Sequence, residues 1–442
     1  MNPLLPWIAK TISSRSLRDL RRGYHGVKRK LLGRHPTVHV FISPADPYSI
    51  LLTQVLKPLK ARFDVDWQYH TVMERPSNMY PKPEYWFEHA LEDTQHLSKL
   101  NELPNLKYLP STDQCEALAH QWACQEDSEE FLDFAASSGL SLWTSENSPF
   151  GNEVDTHCHR TAERVISKNE KLRHKLGHYF SAMLYFEGEW YWGLDRLEHL
   201  EMRLNEMELN SSSPTIQFNR QHISTNKLII DKTDLTPKQL TLYFSLRSPY
   251  SYLALIKAHR LKEEYNIQLN LKVVLPMVMR GLPVPNRKKM YIFLDTKREA
   301  DKQNIPYGFV SDPLGLGVLN CYALYNEALK QDKGLQLMLE FAKGINSEAL
   351  NAEKRSDLKI MVERAGLNWN ELKSVLDLPT DEQEQWRSWA DKHEQELYQL
   401  GLWGVPCLIM DDLKVWGQDR FFVIEEHLQK LQAEQPQSAI TP

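Results

Sequence analysis

The tetrapeptide Ser248-Pro249-Tyr250-Ser251 carries a hydroxyl at a point suited to the start of a helix, since proline is favoured as first helical residue and serine just before it. The first N–H groups of such a helix point outward and its dipole end is positive, so the hydroxyl lies where an anion can bind. Helix initiation alone is the plainer reading of the same four residues. A second chemical element is Gly404-Val405-Pro406-Cys407. Proline opening a strand after a β-branched residue is a candidate cis peptide, one that leaves the Val405 backbone free to pair with an extended, peptide-like ligand. An ordinary edge-strand proline is the alternative. The run Trp416-Gly417-Gln418-Asp419-Arg420 completes the set.

The elements that must position these residues occur twice. A strand-like run at 240–246 precedes Ser248, and another at 38–42 precedes Asp46-Pro47-Tyr48-Ser49. An offset of 202 residues carries Tyr48 onto Tyr250, and it also carries Pro81, Pro83, Asp93, Thr94 and Pro104 onto Pro283, Pro285, Asp295, Thr296 and Pro306. Trp192-Gly193-Leu194-Asp195-Arg196 answers Trp416–Arg420 at a larger offset, so the second copy is longer in its middle. Each half reads as strand, amphipathic helix, strand, a helical middle, two strands and a closing helix. In the second half the middle helices are expected over 318–330, 334–343 and 382–400. This is the order of a thioredoxin fold with a helical insertion, and the expected class is α/β with two tandem thioredoxin-like domains. The expected divisions are a basic arm at 1–36, a first domain at 37–205, a linker at 206–237 with a short edge strand at 227–230, a second domain at 238–431, and a loose tail at 432–442.

Composition bounds the function. A chain of 442 residues with 42% hydrophobic content can build two cores. With 53 basic against 58 acidic residues the formal charge is −5, which leaves no nucleic-acid footprint over the whole molecule. In the arm, Lys10, Arg15, Arg18, Arg21, Arg22, Lys28, Arg29, Lys30 and Arg34 face only Asp19. Such a segment can touch a membrane surface, serve as an organelle presequence, or lie on the acidic body. Without an apolar run of about 20 residues or a secretory signal core, the expectation is a soluble, cytoplasmic chain with no transmembrane segment. The cysteines at 115, 124, 158, 321 and 407 are odd in number and contain no Cys-x-x-Cys, arguing for a reducing compartment and against a disulfide framework. His157-Cys158-His159 is not expected to hold a metal, because adjacent residues seldom chelate one tetrahedral ion without partners at loop or helical spacing.

Taken in order, the run Phe244–Ala254 around Ser248, the Gly404-Val405-Pro406 step and the run Trp416–Arg420 resemble the DsbA-like group that contains 2-hydroxychromene-2-carboxylate isomerase and kappa-class glutathione transferase. The resemblance extends over about 240–431. In that group the serine stands where disulfide oxidoreductases keep the first cysteine of Cys-x-x-Cys, and here both cysteine places are serines, Ser248 and Ser251. The resemblance implies glutathione as cofactor or cosubstrate. Ser248 would hydrogen-bond its sulfur, Val405 before cis-Pro406 would pair with its cysteinyl backbone, Gln418 and Asp419 would hold the γ-glutamyl end, and Lys288 would lie near the glycine carboxylate. The loop Arg280–Pro285 departs from the family, which usually has a longer Gly-Asn-x-Pro-Pro segment there, so an asparagine contact is missing. Family members are often dimers; a homodimer and an intramolecular pseudo-dimer both remain open here.

Energetics assign the serine a purpose. Lowering a thiol pKa from about 8.5 to about 6.5 requires about 2.7 kcal/mol. A helix terminus supplies about 0.3–1 kcal/mol and a hydrogen bond to a charged sulfur about 1.5–3, so the dipole falls short without the hydroxyl.

In the first half Asp46 replaces Ser248, Ser181 and Ala182 stand for Val405 and Pro406, and Trp86 replaces Lys288. An ionised carboxylate repels a thiolate, so this half is expected to be a degenerate copy. It nevertheless keeps Asp195-Arg196, which allows Asp419 to be the cap of the last helix instead of a ligand. The expected activity is that of a glutathione-dependent isomerase or transferase acting on a small hydrophobic or aromatic electrophile, with Tyr291, Phe293, Tyr307 and Phe309 as pocket candidates. A DsbA-type thiol-disulfide oxidoreductase, through Cys407 alone, and a non-catalytic scaffold are the alternatives.

Overall fold

The computed structural model describes residues 4–146, 156–211, 213–219, 238–265 and 267–433. Its chain falls into two units. One comprises Asp19–Thr225, and the other Met1–Arg18 with Asn226–Pro442. Among the described residues no helix is long and apolar enough to cross a membrane.

The unit formed by Asp19–Thr225 carries strands β1 (Thr37–Ile42), β2 (Asp66–Thr71), β3 (Met183–Phe186) and β4 (Glu189–Trp192). They form one sheet in the order β2-β1-β3-β4, with β1 and β2 parallel and the other two pairings antiparallel. The second unit repeats this arrangement with β5 (Lys238–Phe244), β6 (Ile267–Val273), β7 (Cys407–Met410) and β8 (Leu413–Trp416) in the order β6-β5-β7-β8. Again only the first pairing is parallel. Parallel neighbours need a crossover, and helices Pro47–Arg62 and Pro249–Glu264 supply it.

Why the second of these helices forms is plain from its sequence. Ser248 caps it in an extended conformation, Pro249 fixes the first helical φ, and Tyr252, Leu253, Ala254, Leu255, Ala258 and Leu261 make a buried face. Full burial of a leucine such as Leu253 contributes about 1.5–3 kcal/mol, and truncation to alanine costs about 2–5. Between β6 and β7 the inserted helices include Asn286–Lys302, Leu316–Leu329, Gly334–Ser347, Arg355–Arg364 and Arg387–Gln399. The helix expected over 382–400 is therefore broken before Arg387 by a short turn, Glu384–Trp386, where Trp386 is fully buried.

The expected arm at 1–36 is divided between the units. Helix Leu5–Ile12 rests on the second, where Trp7 packs 4.9 Å from Phe309 and Lys10 lies over the same ring. From Asp19 onward, helix Arg15–Leu31 belongs to the first unit and pairs Arg22 with Glu189 and Arg29 with Glu187. The start of the expected linker also packs: Asp64 donates to the Leu209 carbonyl and Ser211 to that of Arg62. Residues 220–237, including the edge strand expected at 227–230, and most of the tail lie outside the described residues. Cys115, Cys321 and Cys407 are free, whereas Cys124 is disulfide-bonded, a bond that the reading of a reducing compartment did not foresee. Of His157-Cys158-His159 only the last side chain is described, and it packs against His120 at 4.3 Å between ring centres.

Candidate active site

Ser248 is half-buried at the head of its helix. Its Oγ accepts from the Ser251 N–H at 3.2 Å and donates to the Val405 carbonyl at 3.3 Å. The second serine of the motif does something else. Ser251 is fully buried, and its Oγ accepts from the Ser245 N–H at 3.4 Å, tying the helix to the end of β5. Beside the cap, Arg247 makes a two-pronged pair with Asp312, 2.7 Å on each arm, which fixes the turn. Tyr250 donates to buried Asp295 at 2.6 Å and so ties this helix to Asn286–Lys302.

The Val405–Pro406 peptide is cis. Val405 is half-buried, and among the described residues its N–H has no hydrogen-bond partner. Gly404 makes the approach possible: a Cβ there would lie 2.2 Å from Trp416 Cζ2. Trp416 in turn packs on Trp403 at 4.5 Å, and Gly417 donates to the Pro406 carbonyl at 2.9 Å. Ser248, Val405 and Pro406 are thus brought together, with the Trp416-Gly417 step behind them.

Gln418 faces inward. It is 1% exposed, its Oε1 accepts from Lys257 Nζ at 2.9 Å, and its amide nitrogen donates to Glu299 and Asp419. The side chain is committed to protein partners, whereas Asp419 is only half-buried and lies inside the turn Gln418–Arg420, not at a helix cap. Lys257 was not singled out from sequence, since nothing in its spacing separates it from Arg260 or Lys262 on the same helix. Burial pulls its pKa down, opposed by the charges of Asp419, Glu299 and Glu425. Lys288 is half-buried in the first turn of Asn286–Lys302, and burial lowers its pKa to about 8. Arg287 and Lys289 flank it, so three cations gather where the helix dipole disfavours them.

The aromatic candidates divide. Tyr307 is buried and packs 5.6 Å from Phe293, whereas Tyr291, Phe293 and Phe309 are half-buried, and Phe309 carries Trp7 and Lys10 on its ring. A cleft of about 410 Å³ elsewhere on this unit is lined by His259, Lys262, Lys333 and Arg364, and neither Ser248 nor Val405 borders it.

Residues 239–429 match the DSBA-like thioredoxin domain family. The C-terminal half is a DsbA-like thioredoxin domain. A 2-hydroxychromene-2-carboxylate isomerase from Sphingobium xenophagum is 25% identical over 199 residues, which span 43% of this chain and 98% of that protein. Among solved structures, a 2-hydroxychromene-2-carboxylate isomerase is 19% identical with a TM-score of 0.37, covering 44% of this chain and 97% of its own. The cytosolic disulfide reductase DsbM from Pseudomonas aeruginosa is 14% identical with a TM-score of 0.35, covering 44% and 97%.

In the DsbA-like domain Cys407 follows the cis-proline but is fully buried, and its Sγ donates to the Gly404 carbonyl at 3.1 Å. Burial pushes this thiol well above its ordinary pKa, so it stays protonated. In the N-terminal unit Asp46, at the offset of 202 residues from Ser248, caps the helix Pro47–Arg62. Asp46 is buried and accepts from Ser181 Oγ at 2.7 Å, Ser49 Oγ at 2.8 Å and the Tyr48 N–H at 3.2 Å. Burial raises its pKa, and the Ser181 hydroxyl and Arg75 oppose that rise. Trp86, which stands for Lys288, is half-buried, edge-on to Tyr80 at 5.2 Å and stacked on Phe180 at 6.2 Å.

Proposed function

We propose that the DsbA-like domain is a glutathione-dependent isomerase or transferase acting on a hydrophobic or aromatic electrophile, with Ser248 stabilising the glutathione thiolate. The observation that carries this reading is the 3.3 Å pairing of the Ser248 hydroxyl with the Val405 carbonyl. Both groups are ones a peptide-like thiol would use, and without it they satisfy each other across a long bond. A bound cysteinyl unit would accept the Ser248 O–H on its thiolate sulfur, give its own N–H to the Val405 carbonyl and take the Val405 N–H on its own carbonyl. Every donor and acceptor then stays paired. The sulfur would bond to an electrophilic carbon as a π pair withdraws into the substrate. Expulsion of sulfur after rotation about the freed bond gives isomerisation, and protonation of the adduct gives a conjugate. Lys288, with its basic neighbours, suits the glycine carboxylate. Gln418 and Asp419, which are joined to each other by a hydrogen bond, are the groups proposed for the γ-glutamyl end.

The identity to an isomerase across nearly that protein's whole length supports the isomerase branch. Cys407 argues against a disulfide oxidoreductase, since a buried protonated thiol with no partner cysteine cannot attack or resolve a disulfide. We read the N-terminal unit as a degenerate copy of the same fold. The matching sheet order and the buried Asp46 cap support that reading. Calorimetric titration of glutathione into wild type and Ser248→Ala, with ultraviolet absorbance reporting the thiolate, tests the proposal. Saturable binding with a depressed thiol pKa that Ser248→Ala restores is expected. Absence of binding at millimolar glutathione would leave the scaffold reading.

A further inference from the structure

Helix Arg15–Leu31 has no buried residue, yet its two faces differ. Arg22, His25 and Arg29 follow one another at helical spacing and face the turn between β3 and β4: Arg22 pairs with Glu189 at 3.0 Å and Arg29 with Glu187 at 2.7 Å. His25 lies so close to Gly188 that a Cβ at that glycine would meet its Nε2 at 2.6 Å. On the opposite side Leu20, Tyr24, Val27 and Leu31 form one stripe and are 68, 63, 59 and 82% exposed. Arg21 and Lys28 border the stripe on one side and Lys30 on the other, all exposed. The arginines that hold the helix to its unit are thus distinct from the cations that frame its apolar face.

We infer that this stripe is a docking surface for a membrane carrying anionic headgroups. An apolar ridge with bases along both margins matches such a surface on two counts at once: the ridge enters the acyl boundary while the bases meet the headgroups. A second copy of the chain is the poorer occupant. Two-fold pairing of the stripe would bring Arg21, Lys28 and Lys30 against the same residues of the other copy, with no acid beside the stripe except Asp19. The inference is independent of the glutathione reading, because it uses none of the residues near Ser248.

Cosedimentation of the full chain with vesicles tests it, using phosphatidylcholine alone and phosphatidylcholine mixed with phosphatidylglycerol. Binding to the mixed vesicles only, weakened by salt, is expected. The triple variant Leu20→Ser, Val27→Ser, Leu31→Ser should abolish it, and Arg21→Glu with Lys28→Glu should weaken it at least about tenfold. Since the substituted side chains are exposed, the unfolding temperature should not change. No sedimentation with the mixed vesicles overturns the inference, as does binding that survives the triple variant. Dimerisation by light scattering that the triple variant abolishes, or capture by polyglutamate, without vesicle binding overturns it in favour of a second copy or an acidic protein.

Discussion

Ser248 and Val405 meet across 3.3 Å, hydroxyl to carbonyl, although 157 positions separate them in the chain. The contact joins the positive end of a helix to the residue before a cis-proline. Its Ser248→Ala variant loses both the cap and the proposed sulfur contact. Capping loss should cost about 1 kcal/mol of stability, and the glutathione thiol pKa in the complex should rise by about 1–2 units. Thiolate absorbance against pH reads the second effect, while Ser248→Thr should keep most of it. An unchanged thiol pKa in Ser248→Ala would remove the serine from the mechanism.

Lys288 gives a pH dependence of definite sign. Its pKa in the folded chain, about 8, lies below the 10.5 of an unburied lysine. The unfolded chain therefore binds more protons between those values, and the stability contribution of this group rises as pH climbs through that window. Carboxylate binding runs the other way, because it needs the charged form. Affinity for S-methylglutathione, which has no thiol to titrate, should fall several-fold from about pH 7 to about pH 9, and Lys288→Met should flatten the profile. A flat wild-type profile would place the carboxylate elsewhere.

Gly404→Ala sets a methyl group where Trp416 Cζ2 already lies 2.2 Å away. Either the indole or the cis-proline loop must move, at about 1–3 kcal/mol. Urea unfolding should register that loss, and glutathione binding should weaken with it. Wild-type stability in this variant would mean that Trp416 yields without strain.

Asp46→Ala should leave glutathione binding intact while destabilising the N-terminal unit by about 1–3 kcal/mol, since it strands the hydroxyls of Ser49 and Ser181. Calorimetric unfolding beside glutathione titration separates the two effects. Weakened glutathione binding by this variant would give the N-terminal unit a part in the site.

Much of the fold was legible because paired residues repeat in register. The offset that carries Tyr48 onto Tyr250 also carries Asp93 onto Asp295, and in each half the tyrosine donates to that aspartate, at 2.8 and 2.6 Å. The run of strands and helices along each half and the candidate cis peptide before Pro406 follow from local signals that proline and β-branched residues carry strongly. Side-chain direction was not legible. Gln418 turns inward because Lys257 and Glu299 need its amide, and their approach depends on how two helices pack. The ring contact of Phe309 was not legible for the same reason: its partner, Trp7, comes from the other end of the sequence.

That last contact bears on how the molecule is made. Helix Leu5–Ile12 is translated before the N-terminal unit, yet the ring it rests on belongs to a domain translated after that whole unit. Until then the helix has no seat, and a shortened gene encoding the DsbA-like domain alone would yield a product with Phe309 bare.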